Sequence, residues 1–293
     1  MAMSLSKFLQ SPSVLEEIRN KDFHTIKNII LQKGRHWYQN HPEEEDLIIG
    51  NLSALGKKKD TDLVEAVKEG ILIHYAEKIM ALSCAPSTFS HFIDDNIDYS
   101  DALKTLQSCT EDKGILMATP HFGGVEFATP TLAKMGYTTN VVLKFTTPDL
   151  SRKIRSYARE MEESADFSRI NFIELGKKET AGALDMYAAL RRKELLFTVF
   201  DEETEYSTEV ELFGKRILGG AGIDKIIKPA RAFIKVFTLF MVRTGDTTYR
   251  LEIHPIDESS KTPAQDMYRT LENVLSTHLE QWYFLHEEVP VVK

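Results

Sequence analysis

The sequence predicts an α/β fold, a mixed sheet flanked by helices with a helical part in front of it. Three observations carry this. From residue 113 onward, short apolar runs alternate with segments of helical period, the pattern of a sheet with helices on its faces. Before residue 109 the apolar positions recur only at helical spacing. The last two long apolar runs are joined by RTGDTTYR, which reads as an antiparallel hairpin closing a sheet that is otherwise largely parallel. The chain therefore divides into residues 1–108, helical and packed on the rest, and residues 109–293, the α/β part.

In the helical part, Phe23, Ile26, Ile29, Ile30 and Trp37 share one helix face. Pro42 followed by Glu43, Glu44, Glu45 and Asp46 is a helix start with acids in its first turn, as the helix dipole prefers. The same acids with His41 have the composition of a metal site, but such charge runs usually face water. Thr61 or Asp62 is the expected cap of a long helix carrying Leu63, Val67, Ile71, Tyr75 and Ile79. Residues 86–96 read as a loop, and His91, Asp94 and Asp95 as its polar surface.

In the α/β part the strand candidates are 115–119, 139–144, 170–174, 195–200, 208–213, 233–242 and 248–255. Helices are expected over 124–135, 148–163, 179–192, 222–231 and 263–285. Thr147 followed by Pro148 is a cap with proline at the first helical position.

Composition excludes several classes. The net charge of −8 and isoelectric point near 5.7 argue against a nucleic-acid binder. Two cysteines, Cys84 and Cys109, without a C-x-x-C pattern point to a reducing compartment, hence the cytoplasm. The N-terminal residues have no apolar run long enough for a signal peptide, and no stretch is long and apolar enough to span a bilayer.

The stretch with most chemistry is ILMATPHFGGVEFATP. A buried strand ends at Pro120, His121 follows, and Gly123 and Gly124 permit a tight turn close to a ligand. Glu126 falls in the first turn of the next helix, from where it can reach one ring nitrogen of His121 and leave the other free to take a proton. With no Ser or Cys between them, this is a base and its orienter, and the attacking group belongs to a substrate. By spacing alone a structural histidine is the commoner reading; the Gly-Gly turn at a strand's carboxyl end shifts the balance toward the base.

Asp201 follows the apolar strand LLFTVF directly and is the better placed of its acidic run to bind or orient a substrate, with Glu202 and Glu205 read as solvated. Two basic helix faces stand out, Arg152, Lys153, Arg155 and Arg159, and Lys225, Lys228 and Arg231. They fit a phosphate, an acidic carrier protein or an anionic membrane surface, or salt bridges with the abundant acids.

Taken together, these segments resemble the lipid A late acyltransferase branch of the lysophospholipid acyltransferase superfamily. PHFGGVE is similar to its H-x-x-x-x-[D/E] motif, Asp201 and Glu203 to a D-x-D segment, and Leu212–Gly214 to a segment downstream of it. VRTGDTTYRLEIHP, with Arg243, resembles its strand pair, and EQWYFLH its C-terminal signature. The helical stretch at 51–70 resembles the region before its catalytic motif. The resemblance implies a lysophospholipid acyltransferase-like fold. It also implies transfer of an acyl group from a thioester, on acyl-carrier protein or CoA, to a hydroxyl or amine of a lipid or small molecule.

His121 is then the general base and Glu126 its partner. Backbone N–H groups of Gly123 and Gly124 meet the oxyanion, and Arg243 with Arg155 or Arg159 binds phosphate. An apolar groove between the N-terminal helices and the sheet would take the acyl chain. No metal or cofactor enters. Thioester hydrolysis, aminoacyl transfer and non-catalytic lipid or carrier binding use the same parts. The chain departs from the family at its N-terminus, where no anchoring helix is read. It departs again after His286, where Glu287 and Glu288 replace basic residues. Both departures imply a smaller or carrier-bound acceptor, with at most peripheral contact with the inner membrane.

Overall fold

A computed structural model describes residues 4–58, 60–110, 112–145, 147–176, 179–220, 222–287 and 289–292, so Glu288 lies outside the described residues. The first part holds α1 (Leu5–Leu9), α2 (Pro12–Ile18), α3 (Phe23–Asn40), α4 (Pro42–Ala54), α5 (Thr61–Ser83) and α6 (Pro86–Asn96), then β1 (Ile97–Asp98) and α7 (Ser100–Cys109). The α/β part opens with β2 (Gly114–Thr119), a 3₁₀ turn at Val125–Phe127 leading into α8 (Ala128–Lys134), and β3 (Thr139–Leu143). Then come α9 (Pro148–Glu163), β4 (Ile170–Glu174), α10 (Glu179–Arg191), β5 (Leu195–Val199), β6 (Thr208–Leu212), β7 (Lys215–Gly219) and α11 (Ile223–Ala230). It closes with β8 (Ile234–Arg243), β9 (Tyr249–Ile256) and α12 (Pro263–His278), followed by 3₁₀ turns at Leu279–Gln281 and Tyr283–His286.

The fold is α/β with a mixed sheet, in the strand order β1-β9-β8-β2-β5-β3-β4. β2 pairs in parallel with β5 and β8, and β3 in parallel with β4 and β5. β9 returns antiparallel beside β8, as the RTGDTTYR hairpin predicts. β2 is buried at every residue, which is why GILMAT is a continuous apolar run rather than an alternating one. Its carboxyl end delivers His121 near the middle of the sheet, on the edge where open α/β sheets bind ligands.

Four expectations need correction. Asp60, not Thr61 or Asp62, caps α5, its carboxylate accepting from the Asp62 N–H at 3.0 Å. Residues 86–96 form a helix rather than a loop: Pro86 sits at its first position, and Phe89 and Ile93 are buried one turn apart. Strand 208–212 leaves the main sheet and pairs with β7, a strand absent from the sequence reading, in a separate hairpin. Its two-residue turn places both Phe213 and Gly214 at positive φ. The last helix stops at His278, because Gln281 is needed elsewhere: its side chain accepts from the Arg243 N–H at 2.9 Å and donates to the Arg243 carbonyl at 3.1 Å.

Between the N-terminal helices and the sheet, where the acyl groove was expected, aromatic side chains pack together among the described residues. Phe127 meets Phe23, Phe92 and Tyr249 edge-on, with ring centroids 5.9, 5.2 and 5.1 Å apart. Each such pair adds about 0.5–1.5 kcal/mol beyond simple burial. One apolar cluster runs unbroken from Leu5 to Val289.

Candidate active site

β2 and β5 are neighbours in parallel, with Thr119 opposite Val199. Two residues beyond each strand end stand His121 and Asp201, so the strand pairing alone sets them side by side. The His121 backbone N–H donates to Asp201 Oδ2 at 2.8 Å, and its ring Nδ1 lies 2.9 Å from Asp201 Oδ1. Trp282 Nε1 adds a third donor to Asp201 Oδ2 at 3.0 Å. A carboxylate with no exposed side-chain surface must find its hydrogen-bond partners inside the protein, and these three donors supply them. The His121 side chain is 22 % exposed, so the ring opens to solvent at the other nitrogen. That nitrogen, Nε2, lies 3.6 Å from Glu202.

Burial alone would disfavour the His121 imidazolium. The charge and hydrogen bond of Asp201, followed by Glu202 and Glu126, outweigh it and hold the pKa up at about 9. The Asp201 bond also fixes which nitrogen carries the proton in the neutral ring: Nδ1–H faces the carboxylate, leaving Nε2 free to accept.

This corrects the role expected of Glu126. The place beside His121 Nδ1 belongs to Asp201. Glu126 lies 3.7 Å from His74 Nε2 and 3.9 Å from Lys78 Nζ, both on α5. The 3₁₀ turn at Val125–Phe127 rotates Glu126 onto the α5 side, while Asp201 approaches from the neighbouring strand.

The glycine pair is needed, but not for the reason read from sequence. Gly123 has φ +55°, and a Cβ there would stand 1.9 Å from the Met241 carbonyl oxygen. Its N–H donates to the Gln281 carbonyl and that of Gly124 to the Met241 carbonyl, both at 2.9 Å. Phe122 N–H bonds the Pro120 carbonyl at 2.8 Å. The whole turn is thus committed to holding its own shape, and none of these N–H groups is available to an oxyanion.

Arg243 is likewise structural. Its guanidinium makes two bonds to the buried Glu77, at 2.7 and 2.8 Å, and a third to the Gly123 carbonyl at 3.0 Å. Tyr249 Oη donates to the same Glu77 at 2.9 Å. With Nε and Nη2 committed to Glu77 and the Gly123 carbonyl, Arg243 clamps the His121 turn to α5, which is not the phosphate-binding role expected of it. Arg155 lies on α9 against the sheet-edge strand β4, three strands from β2, over the rings of Phe145 and Phe172 and 3.6 Å from Glu174. Arg159 is exposed on the same helix. Neither meets His121.

The structure adds residues that the sequence reading passed over. Trp282 is buried in the core, and from there its indole N–H anchors Asp201, while Phe122 and Trp282 form a backbone bridge. The Tyr283 N–H donates to the His121 carbonyl at 2.9 Å, and its hydroxyl meets Tyr75 Oη at 2.9 Å. Phe284 flanks the His121 ring at a centroid distance of 5.1 Å. The signal was EQWYFLH itself, which carries more polar and aromatic hydrogen-bonding groups than a buried helix requires.

A cavity of about 620 Å³ opens at the opposite edge of the sheet, among Asn140, Asn171, Arg169, Arg192 and Glu194. Its polar groups pair with one another, Arg192 with Glu194 and Asn171 with Asn140, so it carries no part of this chemistry. Among the described residues, no helix is long and apolar enough to cross a membrane.

Residues 69–289 match the family model of bacterial lipid A biosynthesis acyltransferases. The match includes α5 from Glu69 onward and every residue of the His121 site named above. No curated protein matches the chain.

Proposed function

The chain belongs to the bacterial lipid A biosynthesis acyltransferase family, and on that premise we propose that it transfers an acyl group from a thioester to a hydroxyl or amine with His121 as general base. The observation carrying this reading is the His121–Asp201 pair: one ring nitrogen held by a buried carboxylate, the other open beside the surface. Nε2 takes the proton of the acceptor as its oxygen or nitrogen attacks the thioester carbonyl. The carbon–sulfur bond breaks, and the proton passes to the departing thiolate. Asp201 orients the ring and stabilises the imidazolium, and Glu126 contributes from farther off as a second negative charge. No metal or cofactor is needed for these steps.

The donor is a thioester on acyl-carrier protein or CoA. The exposed Lys225, Lys228 and Arg231 on and after α11 support an acidic carrier, which would be attracted to them. Glu202, exposed 3.6 Å from His121 Nε2, supports an acceptor smaller than a heavily phosphorylated glycolipid, which it would repel. Peripheral membrane contact remains part of this proposal through the basic face of α9.

Incubation with carrier-bound and CoA thioesters, with and without acceptors, tests the reading. Thiol release that depends on acceptor and yields acylated product supports it. Release that ignores acceptor indicates a hydrolase, and no turnover of any thioester indicates a binding protein.

A further inference from the structure

Glu126, freed from orienting His121, sits in a group of its own on the other side of Tyr283. His74 and Lys78 stand one turn apart on α5 and flank it. Tyr283 separates this group from the base: its ring centroid is 4.1 Å from that of His74 and 6.4 Å from that of His121. The contacts within the group, 3.7 and 3.9 Å, are ion-pair distances, longer than hydrogen bonds.

His74 is 2 % exposed, and it turns Nε2 toward Glu126 while its Nδ1 has no partner. Burial, reinforced by Lys78 and Arg243, keeps that ring neutral. Lys78 and Glu126 are both partly open, their side chains 37 % and 28 % exposed. Among the described residues, Glu126 is the one carboxylate within ion-pair distance of Lys78.

We propose that Lys78, Glu126 and His74 form the acceptor subsite. Lys78 takes an anionic group, carboxylate or phosphate, that the acceptor carries near its attacking hydroxyl or amine, and Glu126 accepts a hydrogen bond from the acceptor's own donor. His74 lines the subsite behind Glu126, its Nε2 3.7 Å from that carboxylate. The proposal rests on the acyl-transfer reading. It narrows the acceptor to a polar molecule with an anion next to its nucleophile, short enough to reach from α5 past Tyr283 to His121.

The test compares acceptors that differ only in the anion, at saturating thioester: an α-amino acid against its amide, and a phosphorylated amino alcohol against the free amino alcohol. Wild type should prefer the anionic member of one pair by roughly tenfold in kcat/KM. Lys78→Met should raise KM for that member by a similar factor and leave the neutral member within about twofold, and Lys78→Arg should restore the preference. The pair that responds identifies carboxylate or phosphate. An unchanged preference in Lys78→Met, equal losses for both members, or no preference in wild type overturns the subsite. His121-dependent thioester cleavage, followed in the same preparations, reports separately on the acyl-transfer reading. If it persists without a Lys78 effect, only the subsite fails; if it is absent from wild type, the underlying reading fails.

Discussion

His121 and Asp201 continue the pairing of β2 and β5 beyond the strand ends, and the ring Nδ1 of one lies 2.9 Å from the carboxylate of the other. A histidine supplied by one strand is therefore oriented by the next strand, not by the helix that follows it. Trp282 and the His121 backbone N–H fill the remaining places around that carboxylate.

The two candidate orienters can be ranked. Asp201→Asn should lower kcat by up to about 10⁴-fold, the loss seen when the carboxylate of a histidine-based triad is neutralised. Glu126→Gln should cost less, because Glu126 acts on His121 only through space. The measurement is kcat for both variants with one thioester and acceptor. A larger loss in Glu126→Gln would return the orienting role to Glu126.

The pH dependence follows from the raised His121 pKa. A general base works in its neutral form, so kcat/KM should climb with pH and level off above about 9. Asp201→Asn should move that rise down toward the ordinary histidine value of roughly 6.5. Stability runs the other way. The folded-state pKa lies above the unfolded one, so the contribution of the pair is fully present below the ordinary value and is lost as pH rises through about 9. Melting temperature should fall across that window in wild type, and less in His121→Ala.

Arg243 should behave as a buried clamp. Arg243→Met leaves Glu77 buried without its partner and should cost about 3–5 kcal/mol in denaturant unfolding. Pairing it with Glu77→Gln should recover part of the loss. Normal stability with a raised KM for a phosphorylated substrate would instead restore the phosphate-binding role.

Most of the sheet was legible because its strands are short apolar runs closed by Gly, Pro or acids, and its helices are strongly periodic. His121 was legible for the same reason, standing just after such a run. Its partner was harder to see. Asp201 looked like a substrate ligand because nothing local says that β5 pairs with β2, although that pairing, once known, sets 121 against 201. The glycine turn had a visible shape but hidden partners: the Gly123 N–H reaches the Gln281 carbonyl 158 residues away, and the Gly124 N–H the Met241 carbonyl 117 residues away. α6 was read as a loop because Ser, Thr, Asp and Asn dominate it, and its apolar face is only Phe89, Phe92 and Ile93. His74 and Lys78 looked like ordinary positions of a long helix, and only the packing of α5 against the 125–127 turn brings them to Glu126.

The central claim is that His121 deprotonates the acceptor in acyl transfer, and one assay addresses it directly. Purified wild type and His121→Ala are given a carrier-bound acyl thioester with and without acceptor, while thiol release and acylated product are followed together and circular dichroism checks the fold. The account predicts acceptor-dependent release matched by product in wild type, and loss of both in a folded His121→Ala protein. Near-normal transfer by folded His121→Ala would contradict it.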